Sequence, residues 1–442
     1  MMDRASSDDP AVQGQLERLA ALSPGRDILG LERITDLLAR LGNPHRRLPP
    51  VLHIAGTNGK GSTCAFLRAA IEAGGLTAHV YTSPHLVRFN ERIRLAGRLI
   101  EDELLATLLG EVLDCAEGME ISFFEATTAA AFLAFSRTPA DACVIEVGLG
   151  GRLDATNVIP SPAACGIAQL GLDHHLFLGD RLEQIAAEKA GIAKKDVPLL
   201  TQHYPDPIAA VIGDAAAMAG AIWLPRGGEW DAAADSTKLQ YRDRWGALDL
   251  PLPKLRGVHQ AMNAALAVAM LRHQPTIAPA DSALKAAMGW AEWPARLQHL
   301  SAGPLADLLP TGAELWLDGA HNPAAARAVA EYFHGYVPAD RPFHLVFGLL
   351  ANKDASGVLR RFRGRSLTLH AVPVPGHDHH SPEALAATAR ELQFNAMTAS
   401  GVEDALGWIS RHADRARPPI VLILGSLYLA GEVLRKNAQL PV

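Results

Sequence analysis

The stretch from Val51 to Ile71 constrains the fold more than any other. An apolar run, Val51–Ala55, passes into Gly56-Thr57-Asn58-Gly59-Lys60-Gly61-Ser62-Thr63, after which Phe66, Leu67 and Ile71 fall at helical spacing. A strand that turns through glycines into a helix commits the chain to crossover connections and a helix-covered parallel sheet. The same turn makes an anion site: backbone N–H groups and the helix dipole face phosphates, lysine neutralises them, and a hydroxyl can reach Mg²⁺. The usual G-x-x-x-x-G-K-[ST] pattern is not met, because two residues separate Gly56 from Gly59 and Gly61 intervenes before Ser62. A plain glycine-rich turn with an incidental lysine is the competing reading.

The strand–turn–helix rhythm recurs. Further strands are expected at 78–82, 143–147, 165–169 and 198–201, with helices at 101–115, 127–136 and 181–193. The stretch 223–253 reads as hairpins, 257–272 as an alanine-rich helix, and Pro373–Pro382 as a Pro- and His-rich loop. Around Trp293-Pro294-Ala295-Arg296 the rhythm breaks, and a second alternation follows with strands at 314–317, 343–347, 367–372 and 420–424. Two α/β domains are expected, 1–294 and a smaller 297–442, with a ligand cleft between them.

Composition narrows the class. A 49% hydrophobic and 20% charged chain of 442 residues is an ordinary globular protein. A net charge of −6 gives no general attraction to nucleic acid or anionic membrane. Four scattered cysteines without a C-x-x-C pair fit small buried side chains in a reducing compartment. The N-terminus lacks a signal peptide's apolar core, and no apolar run reaches membrane-spanning length, so a cytoplasmic location is expected.

Chemistry-bearing residues cluster at strand ends. Glu146 lies within an apolar strand, where a carboxylate needs a cation: Mg²⁺ in a nucleotide site, or a salt bridge such as one to Arg152. Ser83-Pro84-His85 follows one strand and Leu172-Asp173-His174-His175 another; the first also reads as a plain turn, the second as a surface or capping histidine. On the helix 181–193, Lys189 shares the inward stripe of Leu182, Ile185 and Ala186. Snorkelling, ion pairing or modification to an anion would each account for it. Asp318-Gly319-Ala320-His321-Asn322-Pro323 and Gly425-Ser426-Leu427-Tyr428 repeat the arrangement in the second half, and Asn322-Pro323 suits a helix cap.

Together these segments resemble the folylpolyglutamate synthase/dihydrofolate synthase family, a branch of the Mur ligases, from about Gly30 to the C-terminus. The carriers are GTNGKGST at 56–63, SPHL at 83–86, FNERIR at 89–94, FFEATT at 123–128, EVGLGGRLDATN at 146–157, LDHH at 172–175, EKAGI at 188–192, DGAHNP at 318–323 and GSLY at 425–428.

The resemblance implies a Mur-ligase-type ATPase domain with a mostly parallel sheet, then a Rossmann-like C-terminal domain. It implies an ATP-dependent ligase that adds L-glutamate to dihydropteroate and to folate tails through an acyl phosphate. It also implies that Asn58, Gly59, Lys60, Gly61, Ser62, Asn263, Arg296, Asp318 and His321 bind ATP, with Lys60, Glu146, His174 and Lys189 catalytic. Ser83, Glu146, His174 and a carbamylated Lys189 would hold two Mg²⁺ ions, with K⁺ as a further cation. Phe124 and Arg88 fall on the folate side, and His321 and Ser426 on the glutamate side. A monomer acting on small molecules, with no nucleic-acid or membrane partner, is expected.

Some positions depart from the family pattern. His175 stands where threonine is common, and Ala295 where a glycine often precedes the arginine. A tail-extending enzyme without dihydropteroate activity and an inactive ATP-binding scaffold are the alternatives. A peptidoglycan ligase of the Mur type is disfavoured, since only 55 residues precede Gly56.

Overall fold

A computed structural model describes residues 6–22, 29–173 and 175–441. The chain divides into two compact units. One runs to Lys254 and takes in Gln260–Glu292; the other comprises Leu255–His259 and Trp293–Pro441.

The first unit is built on an eight-stranded sheet: β1 (Val51–Ala55), β2 (Ala78–Tyr81), β3 (Ile93–Leu95), β4 (Arg98–Leu99), β5 (Ala142–Glu146), β6 (Ala164–Ile167), β7 (Pro198–Thr201) and β8 (Ile222–Pro225). Their order is β4-β3-β2-β5-β1-β6-β7-β8. Pairing is parallel from β2 to β8, and only the β2–β3–β4 edge is antiparallel. β1 is central and buried along its whole length, as its apolar run requires. From β1 the chain runs to β2 on one side, returns to β5, and then crosses to β6 on the other, so strand order reverses beside β1. That is the switch point where open α/β sheets hold ligands. Register sets Glu146 beside Ile54, two residues before the glycine turn.

Helices cover the sheet. Pro10–Leu22, Glu32–Arg40, Asp102–Cys115 and Phe123–Arg137 share one core with Tyr81, Cys143 and Ile145. Leu182–Ala190 and Asp206–Ala219 share another with Cys165, Ile167 and Leu199. The first two helices precede β1 and are not announced by the strand–helix rhythm. The helix expected at 127–136 starts earlier, because Ser122 and Glu125 form a capping box ahead of Phe123. The one expected at 181–193 stops at Ala190, where Gly191 is the C-cap. The hairpin reading of 223–253 holds for β9 (Trp230–Ala234), β10 (Lys238–Asp243) and β11 (Gly246–Pro251), an antiparallel meander. Its first residues instead extend the main sheet as β8, where Trp223 packs on Gly213 and donates its indole N–H to Thr201.

The second unit carries β12 (Gln298–His299), β13 (Glu314–Leu317), β14 (Phe343–Phe347), β15 (Thr368–Ala371), β16 (Asn395–Thr398) and β17 (Ile420–Leu424). Their order is β12-β13-β17-β14-β15-β16, parallel except at β12. β16 lacks an apolar run because it is an edge strand, half exposed along its length. No helix among the described residues is long and apolar enough to cross a membrane.

Candidate active site

At the end of β1 the chain turns sharply. Gly59 has φ +86, and a Cβ there would collide with the Asn263 side chain, so the turn requires glycine. Asn263, on the helix Val258–Arg272, is thus packed directly on the loop, and its amide donates to Gln260 Oε1 at 3.0 Å. The loop is also tied to the end of β6: the N–H groups of Thr57 and Asn58 donate to Gln169 O at 2.9 and 3.1 Å. The helix Lys60–Ala73 begins at once, with Gly61 and Ser62 in its first turn. Its leading N–H groups have no acceptor within the helix and face the loop, an arrangement that attracts anions.

Three of the residues singled out from sequence meet at this edge of the sheet. The Lys60 amine donates to Gly56 O at 3.1 Å and lies 3.9 Å from Glu146 Oε1. The Ser83 N–H donates to Glu146 Oε2 at 3.2 Å. Glu146 is buried, so its charge depends on such partners. Arg152, the alternative counter-charge, pairs instead with Glu188 at 2.7 Å.

Lys189 is buried on the helix Leu182–Ala190, as its stripe position requires. Its amine donates to Gly150 O at 3.4 Å. Two close approaches fix this helix on the glycine loop. A Cβ on Gly151 would come within 2.6 Å of Glu188 O, and one on Gly191 would collide with Arg152. Asn157 bridges them, donating to Arg152 O and Gly191 O at 3.0 Å each. Burial, with the Lys60 charge nearby, lowers the Lys189 ammonium from the usual 10.5 to about 7, against the pull of Asp154, Asp173 and Glu188. A depressed pKa is the property a lysine amine needs to react as a nucleophile.

Among the described residues no three histidine, cysteine or carboxylate side chains converge as a metal cluster. The donors present, the buried Glu146 carboxylate and the neighbouring Ser83, are oxygen ligands of the kind a hard divalent cation takes. His174 lies outside the described residues.

Asp154 went unassigned in the sequence reading. Its buried carboxylate accepts from Leu149 N at 2.8 Å and from Thr156 N at 3.0 Å and Oγ1 at 2.5 Å, so it holds the glycine loop in shape. Burial raises its pKa. The Asp-x-Thr spacing of a side-chain-capped turn was the available signal. Phe124, in the first turn of Phe123–Arg137, stacks on Tyr81 at 5.9 Å and lies against Gly148. Arg88 is exposed on the loop between β2 and β3.

In the second unit Arg296 sits between two left-handed residues, Ala295 (φ +55) and Leu297 (φ +43). Asp318, just past β13, holds this segment by accepting from Leu297 N at 2.7 Å and Ala320 N at 2.8 Å. Burial raises the Asp318 pKa, and the Arg296 charge opposes the rise. A Cβ on Gly319 would come within 2.9 Å of Arg296 Nη1. His321 and Gly319 O are 2.9 Å apart. Asn322 caps Pro323–Tyr336, and Ser426 caps Leu427–Lys436 by accepting from Tyr428 N at 3.1 Å.

The chain has relatives among known proteins. Residues 307–427 match the Mur ligase, glutamate ligase domain. The chain is 34% identical over 425 residues to a probable bifunctional folylpolyglutamate synthase/dihydropteroate synthase of Halobacterium salinarum, covering 91% of this chain but only 49% of that protein. It is 32% identical over 411 residues to the dihydrofolate synthase/folylpolyglutamate synthase of Escherichia coli, covering 92% of this chain and 90% of the relative. Among solved structures it is similar to E. coli FolC in complex with DHPP and ADP, at TM-score 0.86 and 30% identity over 97% of this chain and 98% of that one. It is likewise similar to a bifunctional folylpolyglutamate synthase/dihydrofolate synthase with Mn, AMPPNP and L-glutamate bound, at TM-score 0.83 and 30% identity over 97% and 98% of the two chains.

Proposed function

Because the chain belongs to the dihydrofolate synthase/folylpolyglutamate synthase family of Mur-type ligases, we propose that it is an ATP-dependent ligase joining L-glutamate to dihydropteroate and to tetrahydrofolate polyglutamate tails. The observation that carries the reading is the meeting of Lys60, Glu146 and Ser83 at a helix N-terminus beside the central strand.

The residues divide the work. The first-turn N–H groups of Lys60, Gly61 and Ser62 orient the phosphates, and the Lys60 ammonium offsets charge on the group transferred to the acceptor carboxylate. Asn58, Gly59 and Asn263 hold the nucleotide beside that turn. Ser83 and Glu146 would hold a divalent cation, completed by His174 and by Lys189 once carbamylated. When bound, Mg²⁺ supplies charge neutralisation at the phosphates. The lowered pKa of Lys189 supports carbamylation, which needs a neutral amine. Phe124 offers a flat apolar wall to the acceptor's ring, and Arg88 a cation to its acidic tail. Arg296, Asp318, His321 and Ser426 serve ATP and the incoming glutamate. The four cysteines, all free thiols, fit a reducing compartment such as the cytoplasm.

The test is ADP release with Mg²⁺, ATP and L-glutamate, adding dihydropteroate or tetrahydrofolate separately and weighing the products. Turnover with both acceptors is expected. Turnover with tetrahydrofolate alone would leave a tail-extending enzyme, and silence with both would leave an ATP-binding scaffold.

A further inference from the structure

The irregular loop from Ser83 to Arg88 lies between β2 and β3, and an irregular backbone needs partners for its N–H groups. Two consecutive residues after the loop supply its anchors. The Glu91 carboxylate accepts from three successive backbone donors: Leu86 N at 2.7 Å on Oε2, then Val87 N at 2.9 Å and Arg88 N at 2.6 Å on Oε1. Arg92 is 1% exposed, its guanidinium 5.4 Å from the ring centroids of both Phe89 and Phe123. From there its Nε donates to His85 Nδ1 at 2.9 Å, and its own carbonyl accepts from Thr82 N at 3.0 Å. The loop is therefore gripped at two separate points by charged groups, and charge-assisted bonds of this kind hold geometry well.

We propose that Glu91 and Arg92 are positioning residues with divided roles. Arg92 acts through His85 on the Ser83 side of the loop, and Glu91 acts through the Leu86–Arg88 backbone on the Arg88 side. The inference rests on the reading of Ser83 as a metal-side residue and Arg88 as an acceptor-side one. Glutamine cannot replace Glu91, because both carboxylate oxygens accept and one would become a donor facing an N–H. Asparagine can replace His85, because its Oδ1 offers an acceptor near the place of Nδ1.

The experiment uses the full chain and two binding readouts: Mn²⁺ followed by electron paramagnetic resonance with a non-hydrolysable ATP analogue, and dihydropteroate by calorimetry. Arg92→Leu and His85→Leu are expected to weaken Mn²⁺ binding about tenfold, while His85→Asn restores it. Glu91→Gln is expected to weaken dihydropteroate binding by about tenfold, the loss of one charged hydrogen bond, and to leave Mn²⁺ binding unchanged. His85→Leu keeps the buried arginine, so it reports even where Arg92→Leu does not fold. Both constants moving together in every variant, or neither moving, overturns the divided roles. Loss of ligation by the wild-type chain would instead count against the proposed function, since the two binding readouts need no turnover.

Discussion

The two sheets present their functional residues in opposite ways. At the end of the second sheet the polar groups are satisfied locally: Asn322 and Ser426 cap helices, and Asp318 accepts two nearby N–H groups. At the end of the first, charge is concentrated and buried, with Glu146 and Lys189 both 4% exposed. Glu146 lies 3.9 Å from the Lys60 amine and accepts from Ser83 N at 3.2 Å, and Lys189 donates to Gly150 O at 3.4 Å. Burying charge is costly and shifts pKa values, and reactive sites carry that cost. On the proposed reading, the buried charge of the first unit serves the phosphoryl chemistry, and the capped polar groups of the second serve ATP and glutamate.

That division can be broken by substitution. Lys60→Met is expected to lower ligation by about 10²–10³-fold, the loss of one preorganised charge partner, with folding intact by circular dichroism. Glu146→Gln keeps the shape and removes the charge; ligation is expected to fall about 10²-fold, with a higher Mg²⁺ requirement in a metal titration. If either variant ligates normally, the first sheet's buried charge is structural and the contrast fails.

Lys189 sharpens the comparison through pH. Its pKa is depressed from 10.5 to about 7 in the folded chain, so between those values the unfolded chain binds more protons, and stability rises with pH across that window. In CO₂-free buffer, Lys189→Met is expected to melt higher than wild type below pH 7, and the gap should close towards pH 10.5. Lys189→Ala is expected to lose most ligation and to regain part of it with a short carboxylic acid. Absence of rescue would remove the carbamate role.

Smaller effects belong to the second unit. Asp318→Asn exchanges one acceptor for a donor facing a backbone N–H, and is expected to destabilise by about 1–3 kcal/mol in denaturant titration. Ser426→Ala and Asn322→Ala each remove a helix cap, and each is expected to cost about 1 kcal/mol. Ser426→Ala alone should also raise the KM for glutamate. Equal KM changes in both would reduce Ser426 to a cap.

Much of this was legible in the chain itself. β1, β7, β13, β14 and β17 lie at their predicted residues, because apolar runs and the turns that end them are local properties. The glycine turn, the inward Lys189 and the Asn322 cap follow from spacing for the same reason. The short strands β3, β4 and β12 carry no such signal, since two or three residues show no periodicity.

What the sequence by itself determined was the order of strands, turns and helices, and the residue types waiting at each strand end. Only the tertiary structure decided which of them meet. Strand register put Glu146 near Lys60, helix docking through Gly151 and Gly191 turned Arg152 to Glu188 rather than Glu146, and the packing of Phe89 and Phe123 aimed Arg92 at His85. The reason is physical: periodicity is written over a few neighbouring residues. Pairing between charges far apart in the chain is set by how whole elements pack.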